Sequence, residues 1–454
     1  MNFTVWTLLI DVGLVSVLLM LGKLLRAKIR FIQKLFLPPS LIAGFGALLL
    51  GPEILGRITG GTWCLPLNPD TCATYSSLLI AFVFGCIPLT STKMKGKQGS
   101  EGIGRMWVYS NAGMLLQWAL GGALGLWVFS KLWDDVHPAF GIAMPAGFCG
   151  GHGTAAAMGT EFAKMSFEDM QSVSMTCATV GIVAAVVIGL AMIKWGTNHG
   201  KTSFIQKYND LPDELRTGII PKDKRDSIGE ASFSAISLDS LTFNFATVCV
   251  IVLGGYGISK LIKYFWPALG VPVFICAFLV GLIVRKVSDK TGVSEYISPK
   301  MIGHMSGAFT DFLVAFGVAS IKLAVVWKLL VPVLLLLAAG LLFTYLYVVL
   351  IGKRVAGDYW FEKAVFSWGW FTGTMSMSIA LLRIVDPDMR TKCMDEYAYA
   401  YIYVAPVEIA LIALAPLAFG SGLGWLYVAL STLGGVATLA VAGRKGWLKK
   451  KDKA

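Results

Sequence analysis

Charge is scarce in this chain. Asp, Glu, Lys and Arg together make up 15% of its 454 residues, hydrophobic residues make up 56%, and mean hydropathy is +0.69. A soluble protein of this length needs far more polar surface. Histidine is rarer still, with four copies. The eight cysteines form no CxxC pair and no Cys/His cluster, which argues against a zinc or iron–sulfur centre. No phosphate-cradling loop occurs either. No basic residue precedes the first apolar segment, Phe3 to Gly22, while Lys23, Arg26, Lys28, Arg30 and Lys34 follow it. That asymmetry speaks against a cleavable signal and puts the N-terminus outside.

Long apolar runs are what the chain has in abundance. They recur from end to end at roughly 17 to 25 residues, the length of a bilayer-spanning helix. The class is therefore an all-α polytopic membrane protein. Uninterrupted spans are expected at 3–22, 36–52, 74–91, 107–130, 172–193, 241–264, 269–284, 304–321, 329–351, 397–419 and 422–443, about 11 in all. The net charge of +12 reads as Lys and Arg collected on the cytoplasmic side, and no nucleic-acid partner is expected.

Two further apolar segments, 139–162 and 362–385, are interrupted by glycine. Re-entry of both places most of the 39 Lys and Arg in the cytoplasm, with the C-terminus; crossing by both spreads them far more evenly. Re-entry is the expected arrangement. Around the polar stretch 197–240 the pattern repeats. "LPPSLIAGFGALLLG" parallels "LGVPVFICAFLVGLI", and "GFCGGHGTAAAMG" falls where "GWFTGTMSMSIAL" falls. The expected organisation is a first repeat at 1–196, a cytoplasmic linker at 197–240, an inverted second repeat at 241–420, and an extra span with a basic tail at 421–454. Each repeat holds five spans and one re-entrant segment. Paired broken segments in inverted repeats point to a transport site near the bilayer midplane.

At the first break, Gly150, Gly151, His152 and Gly153 are expected to form a turn, with Thr154 capping the returning helix. Free N–H groups and the positive helix end there suit a carboxylate. At the second, a turn through Gly369, Thr372 and Gly373 leads to Thr374, Ser376 and Ser378, whose hydroxyls, with freed carbonyls, suit Na+ or a polar head group. We assign Gly150, Gly151, His152, Gly153, Thr154, Thr372, Gly373, Thr374 and Ser376 to the substrate, and Gly369, Ser378, Asp311 and Glu408 to the coupling ion. Asp311 and Glu408 qualify as ionisable groups within spans. Asp311 is expected to face the protein interior, and Glu408 follows Pro406, where a kink frees carbonyls. Cys64 and Cys72, expected outside, share a short loop in which a disulfide is possible.

"GGHGTAAAMGTEFAKMSF" followed by "SMTCATVGIV" resembles the bacterial sodium/glutamate symporter family, with weaker similarity from "LPPSLIAG" through "YVAPVEIAL". The resemblance implies Na+-coupled uptake of an acidic amino acid across the bacterial inner membrane by a homodimer working as an elevator, with no cofactor. Gly150 to Thr154 match the family's pattern. The second break departs from it, with Phe371 where a glycine is usual and Ser376 where a proline is usual; Asp311 and Glu408 stand where small or apolar residues are common. The reading is a symporter of glutamate or a similar small carboxylate driven by Na+, embedded in lipid. Its alternative is an H+- or Na+-coupled transporter of another organic anion or amino acid on the same fold. Breaks that enter from opposite sides argue against a channel, and His152 has no second catalytic group spaced near it to make an enzyme.

Overall fold

The computed structural model describes residues 4–34, 37–90, 100–204, 217–234, 236–265, 271–386 and 389–448. The described residues contain helices and no strands. In the first half these are α1 (Val5–Lys28), α2 (Pro39–Leu50), α3 (Pro69–Thr90), α4 (Ser100–Ala123), α5 (Ala143–Gly147), α6 (Gly151–Ala163) and α7 (Met170–Asn198). After the polar stretch come α8 (Ser240–Phe265), α9 (Val273–Thr291), α10 (Pro299–Ala319), α11 (Leu330–Leu346), α12 (Trp360–Thr372), α13 (Met375–Val385), α14 (Cys393–Gly420) and α15 (Gly424–Arg444). Local chemistry sets several ends. Ser298 accepts from Met301 N and Pro299 occupies the first turn of α10, a favoured start. Gly292, at φ +81°, ends α9 in the left-handed conformation that glycine tolerates.

Among the described residues, ten helical stretches are long and apolar enough to cross a membrane, which makes the chain a multi-pass membrane protein. Three of them run on through a π-helical turn, as α4 does through Leu124–Phe129. The expected span 269–284 is not among the ten. Its helix forms as α9, but Arg285, Lys286, Asp289 and Lys290 crowd its second half, so only the first half is apolar. Residues 269–270 of that expectation, and 449–454 of the basic tail, lie outside the described residues.

The chain divides into two compact units, each drawing on both halves of the sequence. The first comprises Met1–Gly22, Pro39–Lys95 and Ile220–Ser320, hence most of α1 with α2, α3, α8, α9 and α10. Its core packs Val15, Leu18, Ala43, Ala47, Tyr75 and Phe316, with the Tyr75 and Phe316 rings 4.8 Å apart. Buried polar groups are paired, as burial demands. Tyr75 donates to Asp11 at 2.9 Å, and Ser298 N donates to Asn244 Oδ1 at 2.9 Å. Cys72 is buried in this core, Cys64 packs near Gly56, and both are free thiols, so the possible disulfide is not formed.

The second unit comprises Lys23–Pro38, Gly96–Ile219 and Ile321–Ala454. It contains α4 to α7 and α11 to α15, and therefore both interrupted segments. Helices α5, α6, α12 and α13 all pack on α7. Small residues permit this. A Cβ on Gly181 of α7 would lie 2.2 Å from the Thr372 carbonyl oxygen, so only glycine lets the second segment approach so closely.

Candidate functional site at the two helix breaks

The first break is Phe148–Gly150, between α5 and α6. Gly151, His152 and Gly153 do not form the turn but open α6 itself. The Ala155–Ala157 run, made of the best helix former, follows directly, and His152 is held by its neighbour on α7: its Nε2 lies 3.1 Å from Thr179 Oγ1. The start of the helix therefore lies upstream of Thr154, which corrects the expected cap. Thr154 sits inside α6, buried, and the N-cap position belongs to Gly150 with no side-chain hydrogen bond. Gly150 N donates to Pro145 O at 3.2 Å and the N-cap adds no side-chain bond, so among the described residues the donors left at the positive end of α6 are the N–H groups of Gly151, His152 and Gly153. Gly151 has φ +65°, a conformation costing other L-residues about 1–2 kcal/mol.

The second break is narrower. Helix α12 ends at Thr372, Gly373 follows, and Thr374 caps α13 by accepting from Met377 N at 3.4 Å. The expected turn through Gly369 is thus corrected: Gly369 lies within α12, where a Cβ would come 2.7 Å from Ser378 Cα and N. Its role is close approach of the two arms rather than turning. Thr372 donates to Trp368 O at 2.7 Å, and Ser378, fully buried, donates to Thr374 O at 3.4 Å. Ser376 lies in the first turn of α13; its side chain is outside the described residues.

These breaks meet. A Cβ built on Gly151 would have a single neighbour within 4 Å, the Gly373 carbonyl oxygen at 3.6 Å. Sequence reasoning missed the groups around this junction. Gln117 of α4 donates through Nε2 to Phe371 O at 3.0 Å and to Thr344 Oγ1 of α11 at 2.8 Å, holding the second break from behind. The buried polar atoms with no hydrogen-bond partner among the described residues include His152 Nδ1, next to Gly151, and Gln117 Oε1, on the side chain that bonds Phe371 O, besides others along α4 and Ser174 Oγ of α7. Buried polar atoms left unpaired cost about 1–3 kcal/mol each, so one beside each break marks a candidate ligand site. A polar residue between apolar neighbours was the available signal for Gln117 and Ser174.

The two candidate carboxylates part company. Glu408 lies in the second unit, buried near the middle of α14, and accepts from Tyr401 at 2.7 Å. Asp311 lies in the first unit and, contrary to expectation, is exposed on α10. It shares that open face with Gly303, His304, Gly307 and Ala308, while the buried residues of α10 are Ile302 and a cluster in its last two turns from Leu313 on. Asp11, which sequence reasoning passed over, is the buried carboxylate of that unit.

A helical multi-pass membrane protein in which two interrupted segments of one compact unit meet within the apolar core is the class these features define. The sodium/glutamate symporter family model matches residues 5–380. The sodium/glutamate symporter of Escherichia coli K12 is 24% identical over 343 residues, covering 75% of this chain and 78% of that protein. The sodium/glutamate symporter of Haemophilus influenzae Rd is 24% identical over 351 residues, covering 76% and 80%. The chain belongs to the sodium/glutamate symporter family, a family of transporters and not of enzymes.

Proposed function

We propose that the protein imports glutamate, or a closely similar small carboxylate, together with Na+ across the bacterial inner membrane. The observation that carries this reading is the junction at Gly151 and Gly373, where a helix end with no side-chain cap faces a carbonyl oxygen, and where His152 Nδ1 and Gln117 Oε1, beside the two breaks, lack partners among the described residues. Within the stretch Gly150 to Thr154, the substrate's carboxylate sits against the free first-turn N–H groups of Gly151, His152 and Gly153. Hydroxyls and carbonyls of Thr372, Gly373, Thr374, Ser376 and Ser378 complete the substrate's polar shell and hold Na+, with Gly369 keeping the arms close enough to do so. Oxygen ligands suit Na+ as a hard cation, and Na+ is cargo here; no resident cofactor is needed.

The two breaks re-enter from opposite faces, and the halves at 1–196 and 241–420 form an inverted repeat, with 197–240 as cytoplasmic linker and 421–454 as an added span and tail. Supporting this, each compact unit takes corresponding parts of both halves: the first three spans of each in one, the fourth span, break and fifth span of each in the other. The unit carrying both breaks moves as one body, elevator-fashion, in a homodimer with its N-terminus outside and C-terminus in the cytoplasm. Asp311 belongs to the coupling machinery through the unit that stays fixed.

Uptake of radiolabelled amino acids and dicarboxylates into proteoliposomes, with an inward Na+ gradient imposed or absent, tests the reading. L-glutamate accumulation that collapses without the gradient is the expected result. Accumulation of other anions only, or without Na+, overturns it.

A further inference from the structure

Glu408 does not belong to either break, and the family match ends at residue 380, before α14 begins. Its helix, α14, nonetheless packs against an element of each break, α6 of the first and α12 of the second. On its face toward α12, Tyr397 meets the rings of Phe366 and Trp370, at 5.1 and 5.4 Å, and stacks on Tyr401 at 5.5 Å. Tyr401 donates to Glu408 Oε2. Cys149, the residue before Gly150, lies within electrostatic reach of the same carboxylate.

The groups facing Glu408 can be named element by element. They are Tyr401, its hydrogen-bond donor, and Tyr397, stacked on Tyr401, from its own helix, with Cys149 from the first break; one turn further along α14 the Tyr427 hydroxyl of α15 donates to Leu411 O, its ring packed on Trp118 of α4. Nothing among them is a cation. His152 at the start of α6 is turned to Thr179, and Glu161 at its end is paired with Lys164. On α12 the charged residues are Glu362 and Lys363, and Lys363 pairs with Glu396. Glu396 is twelve residues from Glu408 along α14, about 18 Å. Arg383 of α13 is exposed. A lone negative charge at this depth costs several kcal/mol, and either a proton or a bound cation removes the cost. A thiol, phenols and indole rings are poor ligands for Na+, which prefers several oxygens. A proton needs none.

We propose that Glu408 is a proton site of the transport cycle, occupied when substrate binds at the first break. The inference rests on the proposed substrate site, because it is the anion beside Cys149 that requires Glu408 to be neutral. The step is a simple protonation: the carboxylate takes H+ from the outer solution, carries it as a carboxylic acid with the substrate, and releases it inside, with no change of oxidation state.

The test uses purified full-length protein and two readouts. The first needs no ligand: pH-difference infrared spectroscopy follows the carbonyl stretch of a protonated carboxylic acid. We expect a titrating band in the wild type that is lost in Glu408→Gln and retained in Glu408→Asp. In Tyr401→Phe it should titrate at higher pH, because a hydroxyl that stabilises the charged form is gone. The second is L-glutamate binding at saturating Na+. Affinity in the wild type should weaken roughly tenfold per pH unit above the titration point, and in Glu408→Gln it should stay flat with Na+ dependence intact. A band unchanged in Glu408→Gln, identical pH curves, or a Glu408→Gln variant that loses Na+ dependence but keeps the pH profile each overturns the proposal. If the wild type binds no glutamate, the substrate assignment falls, and the infrared titration still decides the proton site. Should Glu408→Gln not fold, the Asp and Phe variants carry the same decision: absence of a band in Glu408→Asp, or an unshifted one in Tyr401→Phe, is then the contrary result.

Discussion

At the first break the following helix starts on Gly151 with no side chain to cap it; at the second it starts after Thr374, whose hydroxyl accepts from Met377 N. The same contrast runs through their surroundings. His152 beside the first leaves Nδ1 unpaired, whereas the second is tied down by Gln117 and by the Thr372 bond to Trp368 O. One break is left with unused donors and an open gap; the other has spent its donors and presents oxygen. Two segments that glycine interrupts in much the same way therefore need not do the same work. On the proposed reading the first receives the anion, and the second supplies carbonyl and hydroxyl oxygens.

Five substitutions probe this contrast. Gly151→Val combines a left-handed backbone penalty with a side chain aimed at the gap before the Gly373 carbonyl, and should lower glutamate affinity on the order of a hundredfold. Fluorescence-detected size exclusion should show that the variant still inserts; Gly151→Ala, with the same penalty and less bulk, should lose about tenfold. Gln117→Leu removes the tie to Phe371 O and Thr344 and leaves the carbonyl unserved, at about 1–3 kcal/mol. A lower thermal unfolding midpoint would register this, together with a half-saturating Na+ concentration raised by roughly tenfold.

Thr374→Ala deletes a cap worth about 1 kcal/mol, so half-saturating Na+ should rise about fivefold while glutamate affinity at saturating Na+ moves less. Thr154→Ala is the smallest. With no cap to lose, it should shift the glutamate constant by less than about twofold. If instead Thr154→Ala exceeds Thr374→Ala in a side-by-side uptake assay, the first break is the capped one in the working protein, and the contrast is reversed.

Hydrophobic run length made the helical membrane class legible, and nearly every expected span forms as a helix, because twenty apolar residues have few other ways to satisfy their backbone in a bilayer. The breaks were legible too, since glycine clusters in an apolar run leave a helix little support. Their register was not. Thr154 and Thr374 each follow glycine and precede good helix formers, and the sequence offers nothing local to say which one caps. The choice falls to tertiary contacts such as His152 with Thr179. Asp311 and Glu408 looked alike as single carboxylates in apolar runs. Which one is buried depends on the helices packed around it, and that information is spread over residues hundreds of positions apart. Asp11 escaped notice for the same reason: its partner Tyr75 is 64 residues away.

Substrate and Na+ are proposed to bind between the two breaks. Structure determination of the protein in lipid nanodiscs, with saturating L-glutamate and Na+, tests it most directly. The account predicts ligand density between the first-turn N–H groups of α6 and the Gly373–Thr374 carbonyls, absent when glutamate is omitted. Density elsewhere, against Asp11 or the exposed face of α10 for instance, with the junction at Gly151 and Gly373 unchanged, would contradict it.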